Sequence, residues 1–237
     1  MIDFHTHILP GIDDGADSEA ESIEMLKAER EQSVRHVFLT PHFYPDRENP
    51  EDFLLRRNES YAKLLKTCEQ QIEDPALLPQ IHLGAEVYYF PGIGDCDSIR
   101  PLALGDTGCL LIEPPMTDWT SLMLDEIESI SPNLGLVPVI AHVDRYCRVL
   151  KDYSLFDRLK RRRVLIQVNA SFFIHDDTRN LALELLEEGR IHLLGSDCHN
   201  MSDRKPNIGH AAEIIRNTGH AVALAEAVKK MYQLVGE

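Results

Sequence analysis

Nine histidine and acidic side chains stand where short apolar segments of the chain end. They are His5, His7, Asp14, His42, Glu86, Glu113, His142, Asp197 and His199. Two pairs in this set are spaced by two residues, so on an extended strand both members of each pair face the same side. Many carboxylates share one cleft only when cations neutralise them, and imidazole with carboxylate suits divalent manganese, iron or zinc. The residue types therefore predict a metal site, and so many ligands are enough for about two or three ions.

The prediction depends on the whole set, because each short motif alone is weak. An H-x-H pair recurs by chance, and a lone histidine such as His82 or His192 is ordinarily packed or solvated, so neither is assigned a role. We interpret Asp13 as the cap of a turn rather than as a ligand. A histidine or acid at the end of six of seven predicted strands is a pattern that chance does not easily supply.

The elements that must position these side chains alternate between strand and helix. Apolar runs predict strands at 1–5, 34–40, 81–87, 108–114, 135–142, 164–170 and 191–197. Amphipathic stretches between them predict helices, one opened by a capping box at Ser18 and Glu21 and one ended by Gly189. This alternation indicates parallel β-α units that form a distorted barrel, whose sites lie at the carboxyl ends of the strands. We expect one domain that spans residues 1–237.

Composition disfavours nucleic acid and membranes as binding partners and indicates a location in the cytoplasm. With 24 basic and 39 acidic residues the formal net charge is −15, which disfavours binding to nucleic acid or to anionic membranes. The one short basic run, at 159–164, is interpreted as a solvated helix end. No apolar run is long enough to span a bilayer, and polar residues interrupt the first segment, so neither membrane insertion nor a secretory signal is expected. Five cysteines without C-x-x-C spacing indicate reduced thiols in the cytoplasm.

Longer motifs built on these residues resemble those of one enzyme superfamily. "IDFHTH", "TPH", "GAE", "IAH" and "SDCHN" resemble the polymerase and histidinol phosphatase (PHP) superfamily. "HILPGIDDGADS", "LIEPPM", "VIAHVDRY" and "SDCHNMSDR" are similar to its capsular-polysaccharide tyrosine phosphatases, the CpsB/CapC family. The resemblance runs from Met1 to about Arg204. One departure is "HVDR" where many relatives have "HPER", which keeps both the histidine and the arginine.

The resemblance implies a fold, a cofactor and roles for particular residues. It implies a distorted (β/α)7 barrel of the PHP type with a trinuclear metal site, usually manganese, with iron or zinc as alternatives. The family's ligands fall on the nine side chains already named. Two arginines that hold phosphate in the family match Arg145 and Arg204.

The function implied is that of a metal-dependent protein-tyrosine phosphatase. By resemblance its substrate is a phosphotyrosine protein, a bacterial tyrosine autokinase that regulates capsular or exopolysaccharide biosynthesis. A small-molecule phosphatase, such as one acting on histidinol phosphate, is the alternative that the same cluster would serve. A nuclease is disfavoured by the acidic surface, and a non-catalytic phosphotyrosine-binding module by the full ligand set.

A second phosphatase signature overlaps the last of these motifs. Residues Cys198 to Arg204 match C-x5-R, the loop in which a cysteine thiolate attacks phosphorus. Such a loop needs glycine-like freedom and an electropositive setting, whereas this one contains no glycine and follows Asp197. We interpret the match as accidental.

Overall fold

The computed structural model describes residues 1–237, which form nine β-strands and nine α-helices. The strands are β1 (Ile2–Thr6), β2 (His36–Leu39), β3 (His42–Phe43), β4 (Gln80–Leu83), β5 (Glu86–Tyr88), β6 (Cys109–Glu113), β7 (Val137–Ile140), β8 (Leu165–Asn169) and β9 (Leu193–Gly195). The helices are α1 (Glu19–Glu31), α2 (Pro50–Gln71), α3 (Ser121–Leu134), α4 (Val143–Leu150), α5 (Leu155–Lys160), α6 (Ser171–Ile174), α7 (Asp176–Glu187), α8 (Ile208–Asn217) and α9 (Ala221–Leu234). Short 3-10 segments lie at Pro75–Leu77, Ile93–Asp95 and Asp97–Leu102. None of the helices is long and apolar enough to cross a membrane.

All strand pairs are parallel, which confirms a mixed α/β fold built on a parallel sheet. The strands form two sheets, with the orders β1-β2-β4 and β3-β5-β6-β7-β8-β9. The two sheets meet where β1 ends beside the segment after β9, through a bridge between Thr6 and Cys198. His7 N donates to Cys198 O at 2.9 Å, and Asp197 N donates to His5 O at 2.8 Å. The sheet therefore curls round until its first and last strands are neighbours.

One of the seven predicted strands is interrupted and one short strand was not predicted, so a count of seven continuous strands is not what the structure has. The strand predicted at 34–40 is observed as β2, and β3 follows it outside the predicted range, beyond Pro41, which has no N–H to give to the ladder. The predicted strand at 81–87 breaks at Gly84, where a Cβ would lie 2.7 Å from Leu104 Cδ2. Pairing resumes beyond Pro41 and Gly84, since Glu86 N donates to Pro41 O at 3.1 Å.

The helices cover the outside of the curled sheet and begin where the sequence signals them. Ser18 accepts from Glu21 N at 3.3 Å, so the predicted cap opens α1, whose Ile23 and Leu26 are buried in the core. After α7 the chain turns at Gly189 with φ +66°, a conformation that favours glycine. Helices α4, α6 and α8 were not predicted individually, since each is short and carries no distinct cap signal.

Two buried acids lie together beneath the mouth of the sheet. Asp3 on β1 accepts from Ser196 N at 3.0 Å and from His5 N at 3.1 Å. Glu29 on α1 is fully buried, and its Oε2 has no hydrogen-bond partner. Burial, and then the neighbouring charge of Asp3, raise the pKa of Glu29 well above its ordinary value. The native fold therefore favours the protonated form of this carboxyl group.

Replacing Glu29 by Gln is expected to stabilise the protein at alkaline pH. Because the folded pKa is raised, the stability that protonated Glu29 contributes is full at acidic pH and is lost as the pH rises through that folded pKa. Glutamine does not ionise, so a gain of about 1 kcal/mol should raise the melting temperature by about 2–4 °C at pH 8 and less at pH 5. Glu31→Gln, on the exposed side of the same helix, is the control. Equal melting temperatures of Glu29→Gln and the parent at pH 8 would contradict the assignment.

Candidate metal centre

The nine side chains predicted as ligands gather at one mouth of the sheet, where His42 and Glu86 come shortly after the carboxyl ends of β2 and β4. His5 belongs to β1, His42 and Glu86 open β3 and β5, and Glu113 closes β6. The remaining five follow β1, β7 or β9 in the chain: His7, Asp14, His142, Asp197 and His199. The strand-end pattern therefore brings residues from distant parts of the sequence to one mouth of the sheet.

Glu86 lies at the centre of the cluster. Its Oε2 is 3.2 Å from His5 Nε2, 3.4 Å from His7 Nε2 and 2.9 Å from His42 Nδ1. Its Oε1 is 2.8 Å from His142 Nε2. Burial disfavours ionisation of Glu86, but the charge of His5 and the hydrogen bond with His142 outweigh it and hold the pKa of Glu86 well below its ordinary value. A buried carboxylate thus faces four imidazole rings.

The other acids extend the cluster on either side of Glu86. Glu113 Oε1 is 3.7 Å from His142 Nε2, and its Oε2 is 3.8 Å from His42 Nδ1. Asp14 Oδ1 lies 3.5 Å from both His42 Nε2 and His199 Nε2. Asp14 is the most exposed of the set, with 64% of its side chain accessible. It therefore forms the outer side of the cluster.

The hydrogen bonds of three histidines leave the same ring nitrogen free. His7 Nδ1 donates to Asp13 Oδ2 at 2.8 Å, because a carboxylate only accepts. His199 Nδ1 donates to the carbonyl oxygen of Asp197 at 2.9 Å, and His5 Nδ1 lies 3.2 Å from Gln167 Oε1. In each ring Nε2 is the nitrogen that faces the cluster, and the Nε2 atoms of His5 and His7 lie 3.1 Å apart. In metal-binding histidines an acceptor that holds Nδ1 in this way leaves Nε2 to bind the metal.

Several buried atoms of the cluster lack hydrogen-bond partners. They are His42 Nδ1, Glu86 Oε2, His142 Nδ1 and His199 Nε2. Three overlapping groups each bring one donor atom per side chain within 4.8 Å: His7, Asp14, His42 and His199; His5, His7 and Glu86; His42, Glu86 and Glu113. Buried polar atoms without partners are costly in a native protein. Their convergence fits bound cations better than a hydrogen-bond network.

The backbone is strained at two of these residues. His142 has φ +30° and Asp197 has φ +55°, a region that non-glycine residues adopt at a cost of about 1–3 kcal/mol. Gly195, before Asp197, permits a close approach, since a Cβ there would lie 2.6 Å from His5 Cβ. Strain of this kind concentrates at functional sites. It aims both side chains into the mouth of the sheet.

Asp13 does more than cap a turn. It accepts from Gly15 N at 3.0 Å, as the sequence indicated, but its Oδ2 also accepts from His42 N at 2.9 Å and from His7 Nδ1. Asp13 therefore fixes the imidazole ring of His7 and the backbone of His42. Two adjacent aspartates in the opening loop were the only sequence signal for this role.

Asp13→Asn is expected to weaken metal binding by about 10- to 100-fold, the usual effect of losing a partner that orients a ligand. Asp13 accepts with both carboxylate oxygens, whereas an amide has one acceptor oxygen, so the asparagine cannot hold both Gly15 N and His7 Nδ1 and the fixed tautomer of His7 is weakened. The measurement is metal affinity by competition with a chelator. Asp17→Asn, an exposed change in the same loop, should bind metal like the parent, and parent affinity in Asp13→Asn would refute the role.

Strand β8 supplies no predicted ligand but does supply two orienting amides. Gln167 Oε1 accepts from His142 N at 2.6 Å, and Gln167 Nε2 donates to Asn169 Oδ1 at 3.0 Å. Asn169 Nδ2 in turn donates to Asp197 Oδ2 at 3.0 Å. These residues were missed in the sequence. Their signal was two polar residues spaced by two in the otherwise apolar run "VLIQVNA".

Arg145 and Arg204 line one cavity beside Asp197. The cavity has a volume of about 390 Å³ and no hydrophobic residue in its lining. Arg204 Nη2 donates to Asp197 Oδ1 at 2.9 Å, which orients its guanidinium at the edge of the cluster. Arg145 has no carboxylate partner within 4.0 Å. An oxyanion placed in this cavity would therefore meet two guanidinium groups next to the predicted ligands.

Cys198 lies on the opposite side of the chain from the cluster. Alternation turns the side chain between Asp197 and His199 into the core, where it is fully buried, with Sγ 4.0 Å from Glu29 Oε1. Burial, and then the charges of Glu29 and Asp3, raise the pKa of the thiol well above its ordinary value. A thiolate nucleophile is disfavoured at such a position. The geometry agrees with an accidental C-x5-R match.

Cys198→Ser is expected to leave the rate of phosphate-ester hydrolysis within a few fold of the parent. The thiol neither faces the cavity nor ionises readily, and alkylating reagents should not reach it. The measurement is the turnover rate together with the metal content. A variant with intact metal content but no activity would point to a thiolate mechanism instead.

Comparison with known proteins gives relatives over almost the whole chain. The family described as "Capsular polysaccharide synthesis, CpsB/CapC" matches residues 1–229. The tyrosine-protein phosphatase YwqE of Bacillus subtilis is 30% identical over 208 residues, 86% of this chain and 79% of that protein. The tyrosine-protein phosphatase CpsB of Streptococcus agalactiae is 28% identical over 229 residues, 91% of this chain and 89% of that protein.

Solved structures give a similar result. This chain is similar to a crystal structure from work on YwqE of Bacillus subtilis and CpsB of Streptococcus pneumoniae, described as unique metal-dependent tyrosine phosphatases. The TM-score is 0.83 with 25% sequence identity, over 99% of this chain and 94% of the solved one. The similarity therefore extends over the strands, the loops of the mouth and the closing helices.

Proposed function

Because the chain belongs to the CpsB/CapC family, we propose that it is a metal-dependent phosphatase that hydrolyses phosphotyrosine in proteins. The observation that carries the proposal is the cluster around Glu86, whose buried donor atoms converge without hydrogen-bond partners. The names of the relatives, which are tyrosine-protein phosphatases, support the substrate class. We further propose that the substrate is a bacterial tyrosine kinase that controls synthesis of capsular or exopolysaccharide.

The nine clustered side chains hold about three divalent ions in this proposal, with manganese as the expected metal and iron or zinc as alternatives. The three overlapping groups of donor atoms support a cluster rather than a single ion. Ions bound there would supply an activated water and neutralise phosphate oxygens. The tautomers fixed by Asp13 and Gln167 keep imidazole lone pairs directed into the cluster.

Arg145 and Arg204 are the proposed phosphate-binding residues. Guanidinium does not ligate a cation but pairs with two oxygens of an oxyanion at once. Asp197 holds Arg204 beside the cluster, and Arg145 has no other charged partner, so both are available to phosphate. The leaving group is a phenol with a pKa of about 10, so a dedicated general acid is not required.

The test compares two substrates with one metal-loaded preparation. We expect kcat/KM for a phosphotyrosine peptide to exceed that for histidinol phosphate, with both activities lost after chelation. The small-molecule alternative is favoured if histidinol phosphate is the better substrate. A cytoplasmic location and a single domain over residues 1–237 stay predictions from the sequence.

A further inference from the structure

Two tyrosines stand directly above predicted ligands on neighbouring strands. Strands β3 and β5 pair in parallel with His42 opposite Glu86 and Phe43 opposite Val87. Tyr88 closes β5 two residues beyond Glu86, and Tyr44 directly follows β3 two residues beyond His42. Because side chains on a strand alternate, each tyrosine lies on the same side as the ligand before it, about 6–7 Å further along the strand.

Burial and ring distances agree with this placement. Phe43 and Val87 point the other way and are buried in the core, while both tyrosines are half-buried at the mouth. The rings of Tyr44 and Tyr88 lie 5.7 Å apart, and Tyr44 stacks on His42 with ring centroids 5.1 Å apart. The two tyrosines therefore form a continuous aromatic wall that starts at the metal cluster and rises towards solvent.

The surroundings of the two rings differ. Tyr44 lines a cavity of about 400 Å³ with Asp14 and His42, and it is partly covered, because His42 stacks against it and the guanidinium of Arg47 lies 4.2 Å from its ring centroid. Tyr88 contacts only Tyr44 among the aromatic rings and lies beside Glu113, its pairing partner on β6. Neither Tyr44 nor Tyr88 has a hydrogen-bond partner for its hydroxyl within the protein. The hydroxyl of Tyr89, the residue directly after β5, instead donates to the carboxylate of Glu126.

We propose that this wall binds the phenyl ring of the substrate and makes the site selective for aryl phosphates. Tyr88 provides the contact with the ring, and Tyr44, held between His42 and Arg47, supports Tyr88. The inference rests on the proposed function, since it assumes a phosphoryl group bound over the cluster. A phenyl ring attached to the phosphoryl group must extend from the cluster along the side of the mouth. Tyr44 and Tyr88 form the aromatic wall there. Offset or edge-to-face packing of two rings adds about 0.5–1.5 kcal/mol to their burial.

The test measures binding rather than turnover, so that leaving-group chemistry does not enter. Phenylphosphonate and methylphosphonate carry the same anionic group and differ in the ring, and neither is hydrolysed. Calorimetric titration of each into metal-loaded protein gives a ratio of two dissociation constants. We expect the parent to bind phenylphosphonate about tenfold more tightly than methylphosphonate.

The variants separate ring contact from other roles of the tyrosines. Tyr88→Leu should lose most of the tenfold ratio and Tyr44→Leu part of it, while methylphosphonate binding and metal content stay unchanged. Tyr88→Phe should keep the ratio, because its hydroxyl has no partner to lose. Tyr61→Leu, a half-buried tyrosine on α2 away from the mouth, is the matched control.

Four results would overturn the inference, and the last of them would also contradict the proposed function. An unchanged ratio in both Leu variants, or a parent that does not discriminate between the two phosphonates, refutes the aromatic wall even if phosphotyrosine is hydrolysed. Equal weakening of both phosphonates would show that the tyrosines only support the fold of the mouth. A parent that binds neither phosphonate and does not hydrolyse phosphotyrosine would instead contradict the proposed function itself.

Discussion

Glu86→Ala is expected to remove bound metal and to lower phosphotyrosine hydrolysis by at least about three orders of magnitude. Glu86 contributes the carboxylate that four imidazole rings approach within 3.4 Å. Without it the four histidines lose the carboxylate that they share, and the cations lose the ligand at the centre of the cluster. Metal ions contribute several kcal/mol to stabilising the charge of the transition state, and that contribution is lost with them.

Two further variants and a control make this expectation specific. His42→Ala and Glu113→Ala should also lose metal and most of the turnover, because each belongs to a group of converging donor atoms with Glu86. Glu184→Ala, an exposed change on α7, removes the same charge and should behave like the parent. Metal content by elemental analysis and rates of phosphate release are the measurements. Parent-like activity in Glu86→Ala would place the chemistry elsewhere.

Arg145→Ala and Arg204→Ala are expected to separate phosphate binding from metal binding. Each variant should keep its metal while kcat/KM for a phosphotyrosine peptide falls by about 100-fold, since a charge-assisted contact in a protected site is worth about 3 kcal/mol. Arg→Lys at either position should restore only part of the loss, because an ammonium group does not reproduce the planar fork. Metal content must be measured in parallel, as Arg204 contacts Asp197.

Arg161→Ala is the matched control for the two arginines. Arg161 follows α5, is exposed and makes no ion pair, so its loss changes the net charge without touching the cavity. If both Arg145→Ala and Arg204→Ala hydrolyse the phosphotyrosine peptide at the parent rate, the phosphate-binding role is refuted. A small-molecule substrate would then be favoured.

The sequence was enough to predict that the candidate ligands meet at one site, because their meeting depends on local rules. Strand ends are marked by apolar runs that stop, and parallel strands bring their carboxyl ends to one edge. Knowing only that Glu86 and His142 each follow such a run was therefore enough to expect them together. Alternation also predicted that Asp197 and His199 share a side, and the same rule turns Cys198 away from the site.

The remaining features depend on contacts that no local pattern encodes. At Gly84, where the predicted strand breaks, Leu104 approaches too closely for a Cβ, and that approach is set by a distant part of the chain. Asp13 was interpreted as a turn cap because its bond to Gly15 is local, whereas its bonds to His7 and His42 exist only in the folded protein. Gln167 was overlooked for the same reason, since its partners lie on other strands.

The most direct test of the central claim is to titrate metal into chelated protein while measuring hydrolysis of a phosphotyrosine peptide. Bound metal is counted by elemental analysis at each step. The account predicts that protein without metal is inactive and that activity rises with added manganese until about two or three ions are bound per chain. Full activity in protein shown to contain no bound metal would contradict it.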